Sequence, residues 1–87
     1  MNKPLVILYF AWLRERIGLS REELPLPAGV HTVADLIAHL SARGDGHAAA
    51  FQADRKVRCS VNQEFVGLSA PVQPGDEVGF FPPVTGG

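Results

Sequence analysis

The sequence predicts an α+β domain built as one mixed sheet with a single main helix across one face. Two observations carry this. Val33, Leu36, Ile37 and Leu40 recur at i, i+3, i+4 and i+7, the stripe of a helix with one buried side. Around that stripe lie short runs rich in Val, Ile and Phe, two before it and three after it, as strands require. With 87 residues the chain makes one small domain, in which nearly every apolar position is needed for the core.

Leu5 to Phe10 is continuously apolar, which predicts a strand covered on both faces. From Ala11 the pattern turns helical for one or two turns, with Arg14 and Arg16 on the wet side and Gly18 as the stop. Glu22 to Pro27 reads as a second strand, and its two prolines place it at an edge. Ala28-Gly29 turns the chain. Thr32 then suits a helix N-cap, with Asp35 three residues on as a capping-box partner. Gly44 is the expected end of this helix, and Asp45-Gly46-His47 a break. Ala48 to Gln52 predicts a short helix that lays Phe51 on the core. Val57 to Val61 alternates with period two, which turns Val57, Cys59 and Val61 inward. Asn62-Gln63 is a tight turn and Glu64-Phe65-Val66 the return strand. Pro74-Gly75 fits the centre of a type II turn, leading into a last strand from Asp76 to Phe81.

Composition narrows the function. The net charge is −1, with no basic run, so the electrostatic footprint of a nucleic-acid or anionic-membrane binder is missing. A single cysteine excludes an internal disulfide framework and a cysteine-based metal cluster. The apolar stretch from Pro4 to Phe10 is too short to span a bilayer and lacks the flanks of a signal peptide, so a cytoplasmic location is expected. His31, His39 and His47 have no second ligand at metal spacing, and a surface or loop role is expected for each. Cys59 sits on the inward phase of its strand and reads as a small core hydrophobe. No phosphate-binding glycine loop is present, and no serine is linked to a base.

That leaves the chain end. Residues 1–81 form the expected domain, and 82–87 a flexible tail. Pro82-Pro83 cannot pair inside a sheet and favours an extended path. Val84 and Thr85 continue it, and Gly86-Gly87 lacks any Cβ, so it can enter a narrow channel. From Pro82 to Gly87 the extended reach is roughly 20 Å. A terminal carboxylate is an anion at neutral pH and must be activated before it reacts. If Val78 and Phe80 face the helix, Phe81 lies on the opposite face, beside the tail. Phe65, after a tight turn, and Phe10, at the end of the first strand, are further candidates for contact with a partner. The alternative is that all three pack into the core.

Asp76-Glu77-Val78-Gly79-Phe80-Phe81-Pro82-Pro83-Val84-Thr85-Gly86-Gly87 resembles the C-terminal signature of the molybdopterin synthase small subunits, a ubiquitin-like sulfur carrier family. Tyr9 to Glu15, Val33 to Leu36 and Val61 to Glu64 are similar to the same family's first strand and helix, helix start and hairpin turn. Trp12 departs from its pattern, as does Gly79, where alanine is common. The resemblance implies a β-grasp fold and a heterotetramer with the synthase large subunit, which would supply the catalytic side chains. It implies that a ubiquitin-activating-like adenylyltransferase, using ATP and Mg, adenylates the Gly87 carboxylate. A sulfur donor enzyme then makes the thiocarboxylate, and the tail gives its sulfur to cyclic pyranopterin monophosphate, building the molybdopterin dithiolene. The chain itself would bind no cofactor and no metal. In this reading Gly87 reacts, Gly86 gives access, Pro82 to Thr85 form the leash, and Phe81, Phe65 and Phe10 dock. Two alternatives share the double glycine: a ubiquitin-like modifier conjugated through Gly87, and the sulfur carrier of the thiamine pathway. The latter lacks the Phe-Phe-Pro-Pro approach. A passive binding module is the blandest reading.

Overall fold

The computed structural model describes residues 3–52 and 57–82. Its elements follow the expected order: β1 (Leu5–Tyr9), α1 (Trp12–Ile17), β2 (Arg21–Leu24), α2 (Val33–Ser41), α3 (Asp45–Gln52), β3 (Arg58–Val61), β4 (Glu64–Val66) and β5 (Glu77–Phe81). The five strands form one sheet in the order β2-β1-β5-β3-β4. The central pair β1–β5 is parallel, with Ile7 opposite Val78, and the other pairs are antiparallel. This is the mixed sheet of a β-grasp, ubiquitin-like fold.

The helix face of the sheet carries the core. Leu5, Ile7 and Tyr9 from β1 and Val78 and Phe80 from β5 are buried beneath Val33, Leu36 and Leu40 of α2. Each such side chain contributes roughly 1.5–3 kcal/mol on burial. Phe80 meets Phe51 edge-on, ring centroids 5.0 Å apart, so Phe51 covers the core as its phase implied. Thr32 and Asp35 form the full capping box at the start of α2: the Thr32 hydroxyl accepts from the Asp35 N–H, and the Asp35 carboxylate accepts from the Thr32 N–H. Those backbone donors, together with the His31 N–H, hold the Asp35 carboxyl below the usual aspartate range.

The structure departs from expectation in several places. The first strand is covered on its helix face only; Val6 and Leu8 on its other face are half-buried. The second strand runs from Arg21 to Leu24, antiparallel to β1 at the sheet edge, and ends before both prolines, which lack a ladder N–H. The long helix stops at Ser41 rather than at Gly44, because Ala42 and Arg43 donate to carbonyls three residues back and tighten its last turn. Gly44 instead begins the next helix: its carbonyl accepts from the Ala48 N–H.

Asp45-Gly46-His47 is therefore not a break but the first turn of α3. Gly46 is there for close packing. A Cβ at this position would lie 2.7 Å from the Arg16 carbonyl oxygen, so only glycine lets α3 approach α1 this closely. The two turns behave as the sequence suggested. Asn62 and Gln63 both take positive φ, the requirement of a two-residue hairpin. Gly75 does the same after Pro74, and the Asp76 N–H donates back to Gln73.

Candidate functional site

Residues of β1, β5, β3 and β4 that point away from the helices form the open face of the sheet. Alternation puts Leu8 there from β1, Gly79 and Phe81 from β5, Ser60 from β3 and Phe65 from β4. The sequence named three aromatics as docking candidates, and the fold brings all three together. Phe10 and Phe81 stack nearly parallel, 3° apart in plane, with centroids 4.5 Å apart. Phe65 tilts against Phe81 at 5.6 Å. Phe65 is 67% exposed and Phe10 39%, while Phe81 is half-buried between them. Large aromatics left in the open and in mutual contact mark an interface more often than a core.

Between these rings runs a groove of about 290 Å³. Leu8 and Gly79 line it beneath Phe10, Phe65 and Phe81, and Ser60, Gln63 and Glu77 add its polar groups. Gly79 sets the depth. A Cβ there would sit 2.9 Å from Ser60 Oγ and 3.2 Å from the Phe81 ring. The Arg58 guanidinium lies 5.6 Å from the Phe65 ring centroid, in cation–π range.

β5 is a central strand, paired on both sides, and its last residue Phe81 belongs to this cluster. Pro82 follows it directly and is half-buried. Pro82 therefore stands directly after a member of the aromatic cluster. Pro83, Val84, Thr85, Gly86 and Gly87 lie outside the described residues.

A second polar cluster occupies the helix side, and one of its members corrects an expectation. His47 is not a loop histidine. It sits on α3, and its Nε2 is 2.7 Å from Glu22 Oε2. The Tyr9 hydroxyl donates to the same oxygen at 2.7 Å, and Arg43 donates to Glu22 Oε1 at 2.8 Å. Burial alone would raise the Glu22 carboxyl, but hydrogen bonds from His47 and Tyr9 and the charge of Arg43 outweigh it and hold the group below the ordinary glutamate value. Burial and the neighbouring carboxylate push the Tyr9 phenol up. The cluster fastens β1 and β2 to α3.

Cys59 faces the core as its phase implied. Its thiol donates to the Val66 carbonyl at 3.4 Å, and burial raises its pKa, so it is no ready nucleophile. Among the described residues no group of three or more His, Cys, Asp or Glu could hold a metal, and no helix is long and apolar enough to cross a membrane. Sequence reasoning missed Leu8, Ser60, Gln63 and Glu77 as groove residues. Their alternation was legible, but the register that sets them side by side was not.

The comparisons with known proteins bear on the family and the fold. The ThiS family model matches residues 7–87. The molybdopterin synthase sulfur carrier subunit of Escherichia coli K12 is 43% identical over 81 residues, which span 93% of this chain and 96% of that protein. Among solved structures, the putative molybdopterin converting factor subunit 1 of Pyrococcus furiosus superposes with a TM-score of 0.74 at 31% identity, covering 95% of this chain and all of that one. The small archaeal modifier protein 1 of H. volcanii gives 0.73 at 25% identity, again over 95% of this chain and all of its own.

Proposed function

Since this chain belongs to the ThiS family, we propose that it is the sulfur carrier subunit of a molybdopterin synthase, with the Gly87 carboxylate as its working group. An activating adenylyltransferase transfers AMP from ATP to that carboxylate and releases pyrophosphate. A donor at the sulfide level displaces AMP and leaves a thiocarboxylate. The open sheet face then docks on the synthase large subunit in a heterotetramer, and the tail delivers sulfur to cyclic pyranopterin monophosphate. The large subunit supplies the catalytic side chains, in the cytoplasm.

The observation that carries this reading is the continuity of β5. Phe81 closes the exposed aromatic cluster, and the next residue, Pro82, starts the side-chain-poor run to Gly87. A partner that holds Phe10, Phe65 and Phe81 thus receives the start of the tail at a fixed place. From there roughly 20 Å of extended chain reaches inward. Pro82 to Thr85 act as the leash, and Gly86 gives access.

The test is the mass of the C-terminal peptide after incubation with the cognate activating enzyme, ATP, Mg and a sulfur donor. Replacement of one oxygen by sulfur is expected, and deletion of Gly87 abolishes it without unfolding the domain. An unchanged mass with an activating enzyme shown to be active refutes the proposal. The likeness to an archaeal modifier protein favours one second reading, conjugation through Gly87 to lysines of other proteins. Isopeptide adducts that require Gly87 would select it.

A further inference from the structure

The groove on the open face has an electrical direction. Glu77 stands at one end. Its backbone N–H donates to Asn62 Oδ1, and among the described residues no ion pair or hydrogen bond engages its carboxylate. Three neighbouring carboxylates are occupied: Glu22 by three donors, Glu23 by Arg21, and Asp76 by Asn62 and the Gln73 N–H; Glu64 lies outside the groove lining. Arg58 stands at the other end, opposite Phe81 in register and over the Phe65 ring. From Glu77 to Phe81 the strand advances about 13 Å at roughly 3.3 Å per residue. Between the two ends the floor is apolar, formed by Leu8 and Gly79.

We propose that this groove receives a cationic side chain of the partner protein, an arginine or lysine whose stem lies along Gly79 and whose head reaches Glu77. The inference rests on the open face being the docking face. A long aliphatic stem with a charged head matches an apolar floor that ends in a carboxylate. The Ser60 hydroxyl and the Gln63 side chain, which also line the groove, add acceptors for the remaining donors of the head. An anionic or purely apolar side chain would leave Glu77 covered and unpaired, at a desolvation cost. Arg58 repels a cation that enters from the wrong end, so the pair fixes orientation as well as identity. Gly79 makes the floor low enough for the stem, because any side chain there meets Ser60 and Phe81.

The test titrates the chain and its variants into the synthase large subunit by calorimetry, at about 0.1 M and about 0.5 M salt. Glu77→Gln removes the charge and keeps the shape; because Asn62 holds Glu77 through the backbone, the hairpin is undisturbed. We expect binding to weaken about tenfold at the lower salt and much less at the higher, with the melting temperature unchanged. Glu77→Lys should weaken it further. Phe65→Ala is the control for the docking face. If Phe65→Ala weakens binding while Glu77→Gln matches the wild type at both salts, the cation site is refuted and the face stands. If neither variant weakens binding, the face itself is refuted and this inference falls with it.

Discussion

Glu22→Gln separates the charge that holds the domain together from the face proposed to dock. The Glu22 side chain is only 10% exposed and joins three elements through Tyr9, Arg43 and His47. A hydrogen bond to a charged group contributes roughly 1.5–3 kcal/mol. The Arg43 bond is worth less, because its side chain is 41% exposed and screened by solvent. The glutamine carbonyl still accepts from Tyr9, at neutral strength. The net loss at pH 7 is then about 2 kcal/mol, or roughly 10 °C in melting temperature for a domain this small. The pH dependence gives the sharper check. The folded-state pKa of Glu22 is depressed below 4.5, so its stabilisation is complete above that value and is lost as pH falls through the folded pKa. Urea denaturation of both proteins from pH 7 to pH 3 should show the gap between them closing on the acid side. A gap that stays constant with pH, or one under about 0.5 kcal/mol at pH 7, refutes the role assigned to the carboxylate. Affinity for the large subunit should not change, since Glu22 lies on the helix side of the sheet.

Phe65→Ala should show the reverse pattern. Two-thirds of the residue is exposed, so urea denaturation should detect a loss under about 1 kcal/mol, while calorimetry detects binding weakened by about 2 kcal/mol or more, as for an aromatic anchor. Ala11 joins β1 to α1 with φ 56 and ψ −133, a conformation suited to glycine, and Ala11→Gly should raise stability by about 1 kcal/mol in the same denaturation assay.

The local patterns in this sequence were legible because they depend on neighbours a few positions apart. The capping box at Thr32 and Asp35 spans three residues, and the positive φ of Asn62-Gln63 follows from a two-residue hairpin. Phe80 and Phe81 were assigned to opposite faces by alternation alone, and they lie there. Interactions across the chain were not legible. Glu22 finds Arg43 and His47 at separations of 21 and 25 residues, and nothing near any of them signals the others. Gly46 shows the same limit from another side. Its sequence context is that of a helix breaker, and only the approach of the Arg16 carbonyl explains why a helix keeps it. Glu77 reads from sequence as one more exposed strand residue. It gains meaning from Leu8, brought beside it by the β1–β5 pairing, and from Phe65, which reaches β5 only by way of β3.

In the proposed function, the two faces of β5 make docking and delivery one problem. Phe80 is fully buried and stacks near Tyr9, at 6.2 Å, on the side where the Glu22 cluster secures β1 and β2 to α3. Phe81, the next residue, stacks on Phe10 on the opposite side. A slip of β5 by one residue against β1 or β3 would exchange these two rings, exposing a core aromatic and burying a docking one. Two central pairings and the Asn62–Glu77 and Asn62–Asp76 bonds fix that register. If the open face docks as proposed, that register sets where Phe81 meets a partner, and so where Pro82 begins. Under the proposed function, a reactive group at the end of a leash needs a fixed anchor, because every residue of uncertainty in the start shifts the end by about 3.3 Å. In the proposed function the core of this domain acts on the chemistry through that register.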